Sequence, residues 1–134
     1  MDGSWEDKYL LNIDKIDQQH RVFFELWDKE MKQADLEDHL QMATVIEKLE
    51  NYLKEHFKYE IELLRKSNYE EINNHIEQHN FFIQKVNNLK QELNYNNPLL
   101  FEKTALFMKK WFLNHIIQSD RKYQDITLKY LKHK

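Results

Sequence analysis

Apolar residues recur at steps of three and four along four long stretches of the chain. This spacing places them on one face of an α-helix, whereas a half-buried strand would alternate apolar and polar residues. The pattern predicts a first helix from about 14 to 34, a second over 38–66, a third carrying 72–93 and a fourth from 98 onwards. The apolar faces are Ile13, Ile16, Phe23, Phe24, Trp27 and Met31 in the first helix, Leu40, Ala43, Ile46, Leu49, Leu53, Phe57 and Leu64 in the second, Ile72, Ile76, Phe82, Ile83, Val86, Leu89 and Leu93 in the third, and Phe101, Ala105, Met108 and Phe112 in the fourth.

Polar residues and the single proline predict where the helices begin. Asp14 suits a helix start, where its carboxylate can accept hydrogen bonds from free backbone N–H groups. Ser67 and Asn68, with Glu70 and Glu71 three residues later, predict a capping box ahead of the third helix. Asn97 and Pro98 suit the N-cap and the first position of the fourth helix, because proline has a fixed φ and needs no N–H there.

Helix breakers are rare, since the 134 residues include one glycine and one proline. An all-β or βαβ architecture needs frequent turns built from such residues. Four helices of about 20 residues, each about 30 Å long, pack most simply as an up-down-up-down bundle. The sequence therefore predicts an all-α fold, a four-helix bundle with an irregular N-terminal arm through Leu11, formed as one domain over 1–134.

Composition narrows the chemistry and the possible partners. The chain has no cysteine, which excludes thiolate zinc sites, iron–sulfur clusters and disulfides, so a metal must be held by nitrogen and oxygen. The net charge is −3 with acidic and basic residues interspersed, unlike the basic patch that nucleic-acid binding requires. There is no signal-peptide pattern, and no stretch approaches the roughly 20 apolar residues of a membrane span. We expect a cytoplasmic protein with no nucleic-acid or membrane partner.

Two pairs of metal-binding residue types lie at helical spacing. His56 and Glu60 are four residues apart in the second helix, and His75 and His79 have the same spacing in the third. Residues four apart on an α-helix differ by only about 40° in direction, so each pair shares one face. That face is also the apolar face, which points each pair into the bundle.

The first and fourth helices add three further candidates. His20 lies on the apolar face of the first helix, and His115 is followed by Asp120. Five residues correspond to about 140° on a regular α-helix, so His115 and Asp120 could not both point at one site. We therefore predict a π-bulge, kink or helix break within 116–119.

Each of these signals is weak alone, because a single inward histidine is often a hydrogen-bonded core residue. Together, five imidazoles and two carboxylates buried without a cation would cost several kcal/mol. A zinc protease needs its acid directly after the first histidine, which the His75–His79 segment does not provide. Seven ligands exceed what one tetrahedral zinc uses and suit two six-coordinate ions with shared ligands.

The segments that carry these residues resemble the hemerythrin family over nearly the whole chain. They are IDQQH at 16–20, HFKYE at 56–60, the HxxxH pair at 75–79 and WFLNHI at 111–116 followed by Asp120. Every ligand of the family signature is present in order and spacing. The chain looks like a bacterial-type single-domain hemerythrin, although the proline that commonly follows the position of Tyr69 is Glu70 here.

The resemblance implies two non-heme iron ions with an oxo or hydroxo bridge and reversible binding of dioxygen. One iron would have three histidine ligands and the other two, with the vacant position on the two-histidine iron. By resemblance, His75, His79 and His115 bind the first iron, His20 and His56 bind the second, and Glu60 and Asp120 bind both.

Residues around these ligands have expected roles of their own. Reversible binding needs an apolar pocket that delivers no protons, and Phe23 and Phe112 are expected to form its wall. Gln19 is expected to orient a ligating imidazole, and Tyr123 to contact the site from outside. Each of these four also suits an ordinary core or surface position.

Several functions stay open at this point. The leading one is a non-catalytic oxygen carrier, store or scavenger that acts as a monomer. The alternatives are a di-iron oxidase, peroxidase or nitric oxide-handling enzyme, an oxygen-sensing module, and a bundle that has lost its metal. Ferritin-like oxidases use mostly carboxylates, whereas this set has five histidines, which favours oxygen binding. His39 and His133 lie outside the motif and are expected to be exposed.

Overall fold

The computed structural model describes residues 7–33, 39–94 and 98–133. Four long helices follow one another, α1 (Asp14–Gln33), α2 (His39–Lys66), α3 (Ile72–Asn94) and α4 (Pro98–Gln118), and a short α5 (Gln124–Lys132) ends the chain. Two short 3₁₀ helices cover Asp7–Tyr9 and Asp120–Tyr123. The described part of the chain contains no strand.

The four long helices form the predicted up-down-up-down bundle. Neighbours in sequence pack side by side, and α4 returns beside α1. The Phe112 ring on α4 lies 4.8 Å from the Phe23 ring on α1, and Lys109 Nζ lies 3.0 Å from Asp28 Oδ1. The all-α fold class is confirmed. In the described ranges, no helix has an apolar stretch that could carry it across a membrane.

The core has two parts. The larger one fills the space between the four long helices, and the smaller one joins Leu11, Ile13, Ile16, Leu63 and Leu64 to Tyr123 near the end of the chain. The predicted apolar faces are largely buried. The expectation was wrong at the start of α2, where Leu40 is 83 % exposed and Ala43 is exposed. Met42 lies between them and is fully buried, so the core reaches this turn and the two residues lie on the outer face of α2.

The turn after α2 differs from the expected capping box. Asn68 adopts a left-handed backbone conformation with φ 57°, and the N–H of Tyr69 donates to the carbonyl of Leu64 at 3.1 Å. This is a Schellman-type end, which suits asparagine at the left-handed position. The Ser67 hydroxyl donates back to the Leu63 carbonyl at 2.8 Å. The predicted capping box at Ser67 was therefore wrong, because the hydroxyl satisfies the helix it follows.

The predicted interruption after His115 is confirmed as a helix break. Helix α4 ends at Gln118, and the 3₁₀ helix begins two residues later at Asp120. The N–H of Ser119 still donates to the carbonyl of His115 at 2.8 Å, so the chain leaves the α-helical path directly after a complete turn. At the other end, Pro98 is the first residue of α4 as predicted, and Asn97 lies outside the described residues.

The N-terminal arm holds the segment after this break in place. The backbone N–H of Leu11 donates to Asp17 Oδ1 at 2.8 Å, and the Gln124 side chain donates to the Leu11 carbonyl at 2.7 Å. The Arg121 guanidinium donates to the carbonyl of Lys8. The arm therefore links the start of α1 to the 3₁₀ helix that carries Asp120 and to the residue directly after it.

Candidate metal centre

All seven ligand candidates meet in the interior of the bundle. Helix α2 supplies two of them, α3 supplies two, α1 and α4 one each, and the 3₁₀ helix after α4 supplies the last. Each is at most 5 % exposed. The seven residues are His20, His56, Glu60, His75, His79, His115 and Asp120.

Glu60 lies between two groups of histidines. Its Oε1 atom is 2.6 Å from His75 Nε2 and 2.9 Å from His79 Nε2. Its Oε2 atom is 3.6 Å from His20 Nε2 and 3.5 Å from His56 Nε2. The two oxygens of one carboxylate therefore face two different pairs of imidazoles.

Asp120 repeats this division from the opposite side. Its Oδ1 atom is 3.0 Å from the Nε2 atoms of both His75 and His115, and its Oδ2 atom is 3.2 Å from His20 Nε2. The imidazoles thus form a three-histidine side (His75, His79, His115) and a two-histidine side (His20, His56). Both carboxylates span the two sides.

The helix break is what brings Asp120 to this position. A regular helix would turn Asp120 about 140° away from His115. After the break, the carboxylate approaches His115 and His75 from the end of the bundle.

The centre contains buried polar atoms that the described residues leave without hydrogen bonds. Both ring nitrogens of His20, His79 and His115 and both carboxylate oxygens of Asp120 are in this condition. Each unsatisfied buried polar atom costs about 1–3 kcal/mol. The ligating atoms of Glu60 and the three-histidine side lie within 4.8 Å of one another, as do those of Glu60 and the two-histidine side. Donors this close, of the types that bind metals, fit cations on both sides.

The two carboxylates are held in the charged form. Burial alone raises the pKa of Glu60, but contacts with the imidazoles of His20, His75 and His79 outweigh it and hold that pKa well below its usual range. For Asp120, burial and the charge of Glu60 raise the pKa, but His115 and His20 outweigh them and hold it well below its usual value. The centre therefore carries two negative charges that positive charge must balance.

Without metal, two of the histidines supply that balance as protons. Burial lowers the pKa of His20, but Asp120 and Glu60 outweigh it and raise the pKa to about 9. The same competition raises the pKa of His75 to about 10. At His56 and His79 the effect of burial is the larger one. It lowers the pKa of His56 to about 3 and that of His79 below its usual value. The latter pair is neutral, which is the form that binds metal.

Two residues contact the ligands from outside, as the sequence predicted. Gln19 Oε1 lies 2.8 Å from His56 Nδ1, so the ring can donate through Nδ1 while Nε2 faces Glu60. The Tyr123 hydroxyl donates to Glu60 Oε2 at 2.9 Å and is fully buried. Burial and the nearby carboxylates raise the pKa of Tyr123 well above its usual value, so the hydroxyl keeps its proton.

Aromatic rings fix the orientation of the imidazoles. Phe57 stacks on His79 with ring centres 3.6 Å apart, and Trp111 stacks on His115 at 4.8 Å. On the two-histidine side, the Phe112 ring meets His20 edge to face at 5.7 Å. The two expected pocket-wall residues therefore lie at this side, since Phe23 packs on Phe112.

Some supporting residues could not be found from the sequence. Arg121 and Gln124 hold the arm at Lys8 and Leu11 through bonds that join residues 113 positions apart. No local spacing signals such a bond.

Of the two histidines expected to be exposed, His133 is exposed, and the His39 side chain lies outside the described residues.

Comparison with known proteins points the same way as the geometry. A family model described as the hemerythrin HHE cation binding domain matches residues 11–126, a range that contains all seven residues of the centre. A bacteriohemerythrin of Clostridium acetobutylicum is 30% identical over 126 residues, covering 90% of this chain and 98% of the relative. A myohemerythrin of Theromyzon tessulatum is 27% identical over 120 residues (90% and 89% covered), and a bacteriohemerythrin of Pseudomonas aeruginosa is 28% identical over 121 residues (90% and 78% covered).

Proposed function

The chain belongs to the hemerythrin family, as its sequence predicted, and on this premise we propose that it binds dioxygen reversibly at a pair of non-heme iron ions. The proposal includes an oxo or hydroxo bridge between the ions. His75, His79 and His115 would hold one ion and His20 and His56 the other, with Glu60 and Asp120 shared.

The division of the carboxylate oxygens between the two sides carries this proposal. The three-histidine side offers three nitrogens and two oxygens, and the two-histidine side offers two nitrogens and two oxygens. With one shared bridge, the first set reaches six ligands and the second reaches five. Iron commonly takes six ligands in sites of nitrogen and oxygen, so the two-histidine side keeps room for an external molecule.

The donor set argues against a single structural zinc ion. Such a site closes with four ligands in a tetrahedron, and here seven candidates are arranged in two groups. Imidazole and carboxylate together suit iron, and the family relationship favours it over the other metals that imidazole binds. When bound, the iron pair would supply the electrons that reversible dioxygen binding requires.

The residues around the two-histidine side suit binding without further chemistry. Phe23 and Phe112 present aromatic carbon there, which excludes water and offers no proton. The Tyr123 hydroxyl donates its proton to a hydrogen bond with Glu60, so it does not deliver that proton to a bound molecule. We therefore propose a carrier, store or scavenger, not an enzyme.

A di-iron oxidase, a peroxidase or a nitric oxide-handling enzyme would need a polar route to the open position. An open groove lined by Gln78, Lys110 and Asn114, and by the rings of Phe107 and Trp111, does reach the centre, but it reaches His115 on the three-histidine side. That side has the full ligand set, so the groove does not serve a substrate at the open position. An oxygen-sensing module would use the same binding step.

The seven residues all come from one chain, so we propose that a monomer is sufficient and that residues 1–134 act as one domain. A cytoplasmic location stays a prediction of the sequence.

Repeated exposure to oxygen tests the function. The protein is loaded with iron anaerobically, its metal content is measured, and its visible absorption is followed while oxygen is admitted and removed. We expect two irons per chain and an absorption change that reverses over many cycles. One-way oxidation would support the enzyme alternative, and a single zinc ion per chain would refute the proposed centre.

A further inference from the structure

A small cavity lies inside the bundle, in contact with all four long helices. Its wall is formed by buried side chains that are each at most 6 % exposed. Inside the cavity, the volume that the centre of a water-sized molecule can occupy is about 10 Å³. This is room for about one molecule of that size, such as a diatomic gas.

The cavity lies one layer of side chains away from the metal centre. Phe23 follows His20 by three residues on α1, and Leu53 precedes His56 by three residues on the antiparallel helix α2. Because the two helices run in opposite directions, both steps lead to the same level of the bundle. Phe23 and Leu53 belong to the wall of the cavity, so this layer separates it from the histidines.

One aromatic path from the cavity ends on the two-histidine side, while Phe82 in the wall also contacts Phe57 and Trp111, which stack on His79 and His115. The Phe23 ring lies 4.8 Å from the Phe112 ring, which lies 5.7 Å from the His20 ring. On the opposite wall, Phe82 lies 6.3 Å from the same Phe112 ring. Rotation of the Phe23 and Phe112 rings would connect the cavity with the position that the two-histidine side leaves open.

The wall of the cavity is apolar apart from Glu50. The Glu50 carboxylate lies 2.6 Å from Lys90 Nζ and 3.8 Å from Lys54 Nζ, and both lysine side chains are more than 40 % exposed, at 43 % and 57 %. The carboxylate is thus satisfied from the solvent side. A buried water needs two to four polar partners, which the remaining carbon wall does not provide.

We propose that this cavity holds one molecule of dioxygen on its way between solvent and the two-histidine side. An uncharged apolar gas suits a carbon-lined space of this size, whereas water and ions do not. The Glu50–Lys90 ion pair marks the outer end of the route, and the Phe23–Phe112 pair marks the inner end. The inference rests on the proposed function, since it names a step that supplies the same centre.

Xenon tests the site itself, because it binds dry apolar cavities and needs no metal chemistry. Crystals of the iron-loaded protein are pressurised with xenon and examined for density. We expect one xenon position between Leu53, Phe82 and Val86. The substitution Val86→Leu fills the wall and should abolish that density, whereas Val45→Leu makes the same change at a buried residue outside the wall and should preserve it.

Oxygen kinetics test the role of the site. In Val86→Leu we expect the association and dissociation rates of dioxygen to fall together by several-fold with the equilibrium affinity unchanged, because a transit site is not part of the final bound state. Val45→Leu should match the unmodified protein, and melting temperatures confirm that both variants fold. A cavity without xenon, or unchanged rates in Val86→Leu, would overturn the proposal. Xenon in a protein that never binds dioxygen would instead refute the proposed function.

Discussion

Replacement of Tyr123 by phenylalanine isolates a single hydrogen bond to the metal centre. The hydroxyl donates to Glu60 Oε2 at 2.9 Å, and the side chain is fully buried. Phenylalanine keeps the ring and its packing against Tyr69 and His75, with ring centres 6.1 and 5.5 Å away. The variant therefore removes one oxygen atom and leaves almost no cavity.

The size of the effect follows from the charge of the acceptor. A hydrogen bond to a charged group contributes about 1.5–3 kcal/mol to stability, more than one between neutral groups. Glu60 is such an acceptor, because its pKa is held well below the usual range. For a domain of this size, that loss corresponds to a fall of about 5–10 °C in melting temperature. Loss of a residue that orients a metal ligand also lowers metal affinity by about 10–100-fold.

Two measurements check these values. Thermal unfolding of the metal-free protein gives the change in stability, and anaerobic titration with an iron chelator gives the change in affinity. Tyr130→Phe is the matched control, since Tyr130 is half-buried on α5 and packs in the smaller core without contacting Glu60. If Tyr123→Phe and Tyr130→Phe release iron at the same chelator concentration, the hydroxyl does not support the centre.

Two further changes test the ligand set. Glu60→Ala should lower the iron content toward one or zero ions per chain, because Glu60 faces both sides of the centre. Glu62→Ala, at an exposed position on the same helix, is the control and should retain two ions. Unchanged iron in Glu60→Ala, measured by elemental analysis, would contradict the ligand assignment. Loading the metal-free protein with iron at pH 7 should release at least two protons per chain. His20 and His75, with pKa values of about 9 and 10, are protonated before the metal binds and must be neutral to bind it. A titration with a pH indicator that detects fewer than two protons would refute this.

Much of the fold and the membership of the centre followed from local spacing. The step of four between His56 and Glu60 and between His75 and His79 fixes a shared face on any α-helix, wherever that helix packs. The step of five from His115 to Asp120 is incompatible with a regular helix, so the break could be predicted within four residues. The capping box at Ser67 failed because a serine hydroxyl has two local partners, and the sequence does not decide between them.

The sequence by itself determined the four helices, most of their inward faces and the inward direction of the six candidate ligands that lie on them, because helical periodicity is a property of neighbouring residues. Only the tertiary structure decided how the oxygens of Glu60 and Asp120 divide between three histidines and two, since that division depends on the rotation and stagger of whole helices. The same is true of the bond from Tyr123 to Glu60, 63 positions apart, and of the cavity beyond Phe23. Contacts between distant parts of a chain carry no periodic signal, so they emerge only when the helices pack.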